Sequence, residues 1–284
     1  MDSLDIEFIH PDCAKSAVLL FHGLTGSPFE LKKYAKILYD HGFDVYCPTL
    51  PGHMGHRIDI YNVKFEDWIN FACEKYRCLR GYYTNFYTGG LCLGALLGLY
   101  LGENYKSITG LICLCATLYL DGTNIPKYNF LLPLGLNTII KHYYTFAEKE
   151  PYGIKNKITR KKISKLMHKN TVALDNYPLS AIGELLKTSK AVRKNISNIT
   201  NPILIIHSIE DDFTGIKSAD FIYNNVSSKT KEKIVLNNSY HLILYDNEKE
   251  YIYAKTLDFL FGLENEKTFS AALTSRKNKE VLFK

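Results

Sequence analysis

Short, fully apolar segments alternate with segments of helical periodicity along most of the chain, and this alternation restricts the possible folds most strongly. Ser16 to Phe21 (SAVLLF) has no polar face, which is typical of a strand that is buried on both sides. A helical spacing of apolar residues follows over about 30–41, and a second strand is predicted at 43–47. Strands separated by helices need crossover connections, which favour a mainly parallel sheet with helices on both faces. We therefore predict an α/β fold.

The alternation stops near residue 117 and resumes after residue 200. Further strands are predicted at 85–88, 108–116, 202–207 and 233–236, and further helices at 65–76, 95–101 and 248–261. Residues 118–200 show helical and loop patterns without a clear strand, so we predict an insertion over one edge of the sheet, or a lid. The predicted division is a core at 1–117 and 201–263, an insertion at 118–200 and a polar C-terminal tail at 264–284.

Charge, apolar runs and cysteine spacing exclude several classes of protein. The 35 Lys and Arg against 29 Asp and Glu give a net charge of +6, and no nucleic-acid-binding motif accompanies it. The longest strongly apolar run, 108–120, is too short to cross a bilayer, and no basic region precedes an apolar stretch at the N-terminus. Seven cysteines without paired CxxC spacing indicate reduced thiols. We predict a cytoplasmic protein without a transmembrane segment, a bound metal or a cofactor.

The segment Gly90-Leu91-Cys92-Leu93-Gly94 follows a predicted strand and opens a predicted helix. It has the layout of the G-x-S-x-G nucleophile elbow, with cysteine in place of serine. The nucleophile of such a turn has a strained backbone, and the residues two before and two after crowd against it, so both lack a side chain. The helix that begins there points its N-terminus at the sulfur, which favours the reactive thiolate. The alternative is an inert buried cysteine in a glycine-rich turn.

The turn after the first strand supplies a second part of a catalytic site. It reads His22-Gly23-Leu24, and it can aim the backbone N–H of Leu24 at the space that the N–H of Leu93 reaches. Two such donors form an oxyanion hole, which stabilises the negative oxygen of a tetrahedral intermediate. For the side chain of His22 we favour a role in bracing the loop over one in proton transfer.

An acid and a histidine follow the last two predicted strands. Asp211 lies just after the strand at 202–207, and His241 lies just after the strand at 233–236. With Cys92 they complete the chain order nucleophile, acid, base. A histidine alone in a loop is more often a surface residue, but the ordered combination is much rarer by chance.

With these motifs together, the sequence resembles the α/β-hydrolase superfamily, in particular its monoacylglycerol lipase and bacterial carboxylesterase group. The resemblance spans about residues 16–262. It implies an α/β-hydrolase fold, in which the insertion at 118–200 is a helical cap over an acyl pocket. It is carried by the segments Phe21-His22-Gly23-Leu24-Thr25-Gly26-Ser27-Pro28, Leu50-Pro51-Gly52-His53, Asp67-Trp68, Gly89-Gly90-Leu91-Cys92-Leu93-Gly94, Ile206-His207 through Asp211, and Ser239-Tyr240-His241 with Asp246.

The resemblance also implies a role for individual residues. The implied roles are nucleophile for Cys92, base for His241, orienting acid for Asp211, and oxyanion donors for Leu24 and Leu93. Asp212 and Glu210 are alternatives for the acid if the turn is offset by one residue. Tyr240 stands where the family usually has a small residue. We assign substrate binding to Gly23, Thr25 and Tyr240.

Cysteine at position 92 changes the chemistry that this site would perform. A thiol is far more acidic than an alcohol, so His241 need not remove its proton in the transition state. The predicted reaction is cleavage of an ester or thioester through a Cys-His-Asp triad and an acyl-enzyme; an acyltransferase that passes the acyl group to a thiol, amine or alcohol is an alternative. Two further explanations stay open, a Ser-to-Cys substitution that traps an intermediate and a non-catalytic ligand-binding relative.

Two features of the insertion bear on the partner. Seven basic residues between 155 and 169 form either a solvated helix face or a surface for an anionic partner. Apolar residues between 130 and 146 either line an acyl channel or pack the cap on the core. The predicted partner is a small-molecule acyl ester or thioester. The acyl group could also be linked to a carrier protein or to coenzyme A, and nucleic acid is not expected as a partner.

Overall fold

A seven-stranded sheet forms the centre of the molecule. The computed structural model describes residues 4–12, 14–53, 57–126, 132–136, 138–147, 150–167 and 176–281. The strands of this sheet are Ile6–Phe8 (β1), Ser16–Phe21 (β2), Asp44–Cys47 (β3), Asn85–Leu91 (β4), Gly110–Leu114 (β5), Ile203–Ser208 (β8) and Lys231–Leu236 (β9). Their order is β1-β3-β2-β4-β5-β8-β9, and every neighbouring pair is parallel except β1 with β3. The prediction of a mainly parallel sheet is therefore confirmed, with an antiparallel edge strand added.

Helices cover both faces of the sheet, as predicted. Residues of β2 alternate between two hydrophobic clusters, because successive side chains of a strand point to opposite faces. The helices are Lys32–Asp40 (α1), Arg57–Asn62 (α2), Phe65–Arg80 (α3), Leu93–Asn104 (α4), Leu132–Leu136 (α5), Lys157–Met167 (α6), Leu179–Asn195 (α7), Lys217–Asn225 (α8) and Lys249–Val281 (α9). Leu19 belongs to the cluster that includes residues of α3, α4, α7 and α8, whereas Leu20 belongs to the cluster that includes residues of α1 and α9.

The insertion between β5 and β8 differs from the sequence-based expectation in one respect. It contains two strands, Thr145–Ala147 (β6) and Asn176–Pro178 (β7), which pair antiparallel, where we predicted no clear strand. Three residues are too few to show a period of two, so the pattern had nothing to reveal. The last helix of the insertion, α7, packs in the same hydrophobic cluster as α4, through Ile182 and Leu185 among others. It therefore belongs to the hydrophobic core, and the predicted domain division remains a prediction.

The C-terminal segment that we interpreted as a polar tail is helical in the structure. Helix α9 continues through residue 264 to Val281. Lysine, glutamate, alanine and leucine all favour a helix, so polarity by itself does not end one. At residue 264, Glu264 accepts a hydrogen bond from the hydroxyl of Ser16 at the start of β2. Among the described helices, α9 included, none combines the length and the apolar composition needed to cross a membrane.

A pair of glycine substitutions tests how closely α4 lies against the sheet. A Cβ atom at Gly98 would lie 2.6 Å from the Cα of Gly89 in β4, whereas a Cβ at Gly262 in α9 would meet nothing within 4 Å. Alanine favours a helix over glycine by about 1 kcal/mol. We therefore expect Gly262→Ala to raise the free energy of unfolding, and Gly98→Ala to lower it by about 1–3 kcal/mol because of overpacking. Thermal or urea denaturation measures both; stabilisation by Gly98→Ala would contradict the close approach.

Candidate active site

Cys92 occupies a strained turn between β4 and α4. Its backbone has φ 58° and ψ −114°, a region that residues other than glycine rarely adopt. The N–H of Cys92 donates to the carbonyl oxygen of Leu114 in β5 at 3.0 Å. A Cβ atom would lie 2.0 Å from the carbonyl oxygen of Phe21 if added at Gly90, and 1.9 Å if added at Gly94. The two glycines are thus required by the close approach of β2, which is the crowding expected of a nucleophile elbow.

The thiol of Cys92 is buried, with 4% of the residue exposed, next to a second cysteine and a threonine. Its Sγ atom lies 3.2 Å from Oγ1 of Thr117. Cys115 lies one position after the end of β5, has φ 42°, and forms a side-chain hydrogen bond with His241. Burial and the nearby Asp211 raise the pKa of the Cys115 thiol to about 12, so this cysteine is a neutral neighbour. Sequence reasoning missed Cys115 and Thr117 because both lie within the apolar run 108–120, of which we interpreted 108–116 only as a buried strand.

His241 and Asp211 form a buried pair beside this elbow. Nδ1 of His241 lies 2.8 Å from Oδ2 and 3.0 Å from Oδ1 of Asp211, and Oδ1 also accepts the N–H groups of Phe213 and Thr214. Burial opposes the charge on Asp211, but His241, His207 and the N–H of Thr214 hold the pKa of this carboxyl below its ordinary value.

The same environment favours the protonated imidazole. Burial opposes a charge on His241, yet the Asp211 carboxylate and the Cys92 sulfur raise the pKa of His241 well above its ordinary value. Hydrogen bonds to Asp211 and Cys115 act in the same direction. A cysteine beside an imidazolium can react without a separate proton-removal step. Here the charge interaction links His241 to Cys92, whereas the thiol that hydrogen-bonds the imidazole is that of Cys115.

The two alternative acids occupy other positions. Oδ1 of Asp212 accepts the backbone N–H of His241 at 3.3 Å, and burial raises the pKa of the Asp212 carboxyl. Glu210 forms an ion pair with Lys155. Among the three candidate carboxyl groups, the one that contacts the imidazole ring is therefore that of Asp211.

The loop after β2 adjoins the elbow, as the sequence predicted. A Cβ atom at Gly23 would lie 3.6 Å from the Cβ of Cys92. His22 donates from Nδ1 to the carbonyl oxygen of Gly23 at 2.9 Å and accepts the N–H of Leu50 at Nε2 at 3.1 Å, which requires a neutral ring. Burial, together with His53, lowers the pKa of His22 well below its ordinary value. His22 thus braces the loop, and both of its ring nitrogens are occupied.

The two predicted oxyanion donors are placed as follows. Leu93 is the first residue of α4, so its backbone N–H has no carbonyl partner within this helix. The carbonyl oxygen of Leu24 contacts Nε2 of His53, which fixes the orientation of this peptide. Within the described ranges, no hydrogen-bond acceptor faces the N–H of Leu24 or the N–H of Leu93. Both groups are therefore available to a ligand, and their role as an oxyanion hole remains a prediction.

The other predicted substrate contacts lie at the edges of this arrangement. Thr25 is buried in the same loop as Leu24. The ring of Tyr240 lies 5.8 Å from Nζ of Lys155. The backbone N–H of Tyr240 donates to Oδ2 of Asp246 at 2.8 Å. The assignment of Gly23, Thr25 and Tyr240 to substrate binding remains a prediction.

One short segment of the insertion is bound to the loop that carries His241. The carboxylate of Asp246 accepts the backbone N–H groups of Lys155 at 2.6 Å and Asn156 at 2.8 Å, in addition to that of Tyr240. The carbonyl oxygen of Gly153 accepts the N–H of Leu242 at 2.7 Å. Residues 153–156 and the loop after β9 therefore form one hydrogen-bonded unit.

Only some of the basic and apolar residues singled out in the insertion lie within the described structure. Lys155 is paired with Glu210, which leaves less of its charge for an anionic partner. Lys157, Lys161 and Lys162 lie on α6, while the side chain of Lys165 and all of Lys169 lie outside the described residues. Phe130 and Leu131, at the start of the predicted acyl channel, also lie outside them.

Three side chains at the site also have a spacing that a metal would accept. Cys115, Asp211 and His241 bring one ligand atom each within 4.8 Å of one another. However, both oxygens of Asp211 already accept the Nδ1 proton of His241, and Oδ1 accepts two backbone N–H groups as well. This donor set fits an acid–base pair better than a metal centre.

Comparison with known proteins relates this geometry to a group of hydrolases. Residues 12–249 match the family model described as serine aminopeptidase, S33. The thermostable monoacylglycerol lipase of Bacillus sp. (strain H-257) is 27% identical over 250 residues, which cover 85% of this chain and 89% of that protein. The carboxylesterase of Bacillus subtilis (strain 168) is 24% identical over 249 residues, covering 87% of this chain and 93% of that one. The crystal structure of the monoacylglycerol lipase of Paleococcus ferrophilus has a TM-score of 0.75 at 19% identity, covering 93% and 100% of the two chains, which confirms the fold.

The pairing of His241 with Asp211 predicts a pH dependence of stability. A histidine whose pKa is raised on folding stabilises the protein fully below its unfolded value of about 6.5, and this contribution is lost as the pH rises through the folded value. Between about pH 6 and pH 9, we therefore expect the thermal midpoint of the wild-type protein to fall relative to that of His241→Gln. A difference that stays constant over this range would contradict the pairing. Asp211→Asn should reduce the pH dependence, because it removes the main charge that raises this pKa.

Proposed function

Because the chain belongs to the serine aminopeptidase S33 family of α/β hydrolases, we propose that it cleaves acyl esters through an acyl-enzyme intermediate on Cys92. The observation that carries the proposal is the strained Cys92 elbow beside the buried His241–Asp211 pair. An ester is the bond favoured by the comparisons, since the matched relatives are named monoacylglycerol lipase and carboxylesterase.

The first half of the reaction transfers the acyl group to sulfur. The thiolate of Cys92 attacks the carbonyl carbon of the ester, and the electron pair of the C=O bond moves to the oxygen. The N–H groups of Leu24 and Leu93 stabilise that negative oxygen. The C–O bond to the alcohol then breaks, and the imidazolium of His241 donates its Nε2 proton to the departing oxygen. Asp211 keeps the other ring proton on Nδ1, which fixes the orientation of the imidazole.

The second half of the reaction releases the acyl group. His241, now neutral, accepts a proton from a water molecule as the water oxygen attacks the thioester carbonyl carbon. Collapse of the second tetrahedral intermediate breaks the C–S bond and returns the thiolate and the imidazolium. The products are a carboxylic acid and the regenerated enzyme.

Transfer to an acceptor other than water is the second candidate, and one observation favours it. Cys92 and His241 are 4% and 7% exposed, so water has limited access to the thioester. A thioester reacts readily with thiols and amines, and such acceptors would compete with water where it is scarce. An ester and a thioester donor, each with and without added amine or thiol, distinguish hydrolysis from transfer through their products.

Incubation with a short- or medium-chain acyl ester should leave one acyl group on the protein, detected by intact mass and located on Cys92. Cys92→Ala should form no adduct, since it lacks the nucleophile. Cys78→Ala is the matched control, because Cys78 is a free and exposed thiol outside the site, and it should acylate like the wild-type protein.

The same experiment separates the remaining explanations. Absence of an adduct, although iodoacetamide alkylates Cys92, would contradict the proposal and support a non-catalytic relative. Rapid ester hydrolysis gained by Cys92→Ser would indicate that cysteine stands in place of a catalytic serine. An adduct that forms and turns over in the wild-type protein supports a natural cysteine enzyme.

Replacement of the acid should slow the reaction without removing the nucleophile. We expect Asp211→Asn to reduce the rate of acylation by about 10²–10⁴-fold, because the imidazole loses both its charge partner and its fixed tautomer. Glu210→Gln is the matched control, since Glu210 lies one residue away and pairs with Lys155. Similar losses in both variants would contradict the assignment of Asp211.

A further inference from the structure

Glu30 is a buried acid next to the loop that carries the predicted oxyanion donor Leu24. It ends the 3₁₀ turn Pro28–Glu30 and is 8% exposed. Its Oε2 atom accepts the N–H of Gly23 at 3.0 Å. A Cβ atom at Gly26 would lie 2.0 Å from Oε1 of Glu30, so a side chain at position 26 would displace this carboxyl group from its present position.

Gly23 lies between Glu30 and Cys92. A Cβ atom added at Gly23 would lie 3.3 Å from Oε2 of Glu30 and 3.6 Å from the Cβ of Cys92. The carboxyl group and the elbow thus lie against one glycine, directly before Leu24 in the chain. A charge on Glu30 would therefore be close to the oxygen that becomes negative during attack by Cys92, and it would act through a medium of low dielectric constant.

The groups that face Glu30 include one that can carry a positive charge, the imidazole of His241 in the loop after β9. Tyr245, from the turn that follows this loop, also interacts with Glu30 electrostatically, Gly23 donates its N–H to it, and Cys92 lies against the same glycine. Among the described residues, no lysine or arginine forms an ion pair with it. Burial raises the pKa of Glu30 to about 7, while the N–H of Gly23 and the charge on His241 act in the opposite direction. Glu30 therefore changes its charge near neutral pH.

We propose that Glu30 is a positioning residue that must be uncharged during acylation of Cys92. Its carboxyl oxygen holds the N–H of Gly23, and with it the peptide of Leu24, in both protonation states. Ionisation adds a negative charge beside the developing oxyanion and the thiolate, which disfavours both. This inference rests on the proposed function for its effect on acylation, whereas its effect on the thiolate is independent of any ester substrate.

The decisive variant is Glu30→Gln, which keeps an oxygen acceptor for Gly23 and cannot ionise. We expect the acylation rate of the wild-type protein to fall as the pH rises through the pKa of Glu30, about 7, and this fall to be absent in the variant. Above about pH 8 the variant should exceed the wild-type rate by about 3- to 10-fold. Loss of the His241 proton also slows the reaction at alkaline pH, but it does so in both proteins, so the comparison isolates Glu30. Glu30→Ala should be slower at every pH, because the loop loses its acceptor.

Alkylation of Cys92 by iodoacetamide, quantified on the peptide that contains it, gives a second readout without ester chemistry. Above neutral pH, Glu30→Gln should alkylate at Cys92 several-fold faster than the wild-type protein, while Cys78 in the same samples reacts equally in both. Wild-type and variant profiles that coincide would overturn the inference, whether or not an acyl adduct forms. Profiles that differ without any acyl adduct would instead contradict the proposed function and leave the role of Glu30 supported. A wild-type acylation rate without a decline near pH 7 would overturn the inference even if the variant did not fold.

Discussion

The contact between the carbonyl oxygen of Phe21 and the glycines of the elbow determines the geometry of the whole site. Gly90 and Gly94 approach this oxygen so closely that neither position has room for a Cβ atom. Because Phe21 ends β2 and His22 follows it, the same contact brings the loop of Leu24 against Cys92. One packing constraint thus places Cys92 and both predicted oxyanion donors together, and the sheet keeps the strained backbone of Cys92 in place.

The second determinant is the burial of ionisable groups at the carboxyl edge of this sheet. Asp211, His241 and Glu30 are all nearly inaccessible to water, yet their pKa values are shifted by different combinations of neighbours. Four charge and hydrogen-bond contacts favour the carboxylate of Asp211, and Asp211 in turn favours the imidazolium of His241. For Glu30, burial outweighs the N–H of Gly23 and the charge on His241, so its proton is retained to a higher pH.

The central fold, and the grouping of Cys92 with Asp211 and His241, could be predicted from the sequence because both depend on local patterns. Apolar strands and helical spacing indicate the parallel sheet. The glycines two positions before and after Cys92 indicate that the backbone of a neighbouring strand comes too close for a side chain there. Short elements such as β1 leave no periodic signal, and α9 extends into polar sequence that a hydrophobicity pattern does not register. The choice of Asp211 over Asp212 depends on a side-chain direction, and the contacts of Glu30 and Thr117 are made with residues distant in the chain. These contacts exist only in three dimensions, so spacing along the sequence cannot show them.

The carboxylate of Asp246 has a consequence for how the insertion can move. By accepting N–H groups from residues 155 and 156 as well as from Tyr240, it fastens the insertion to the peptide that precedes the imidazole. A hinge at the anchor itself would break several partly buried hydrogen bonds at once. Any strain that reached residues 153–156 would be transmitted to the orientation of His241. The position of residues 153–156 and the orientation of His241 are therefore coupled through Asp246 and through the hydrogen bond between Gly153 and Leu242.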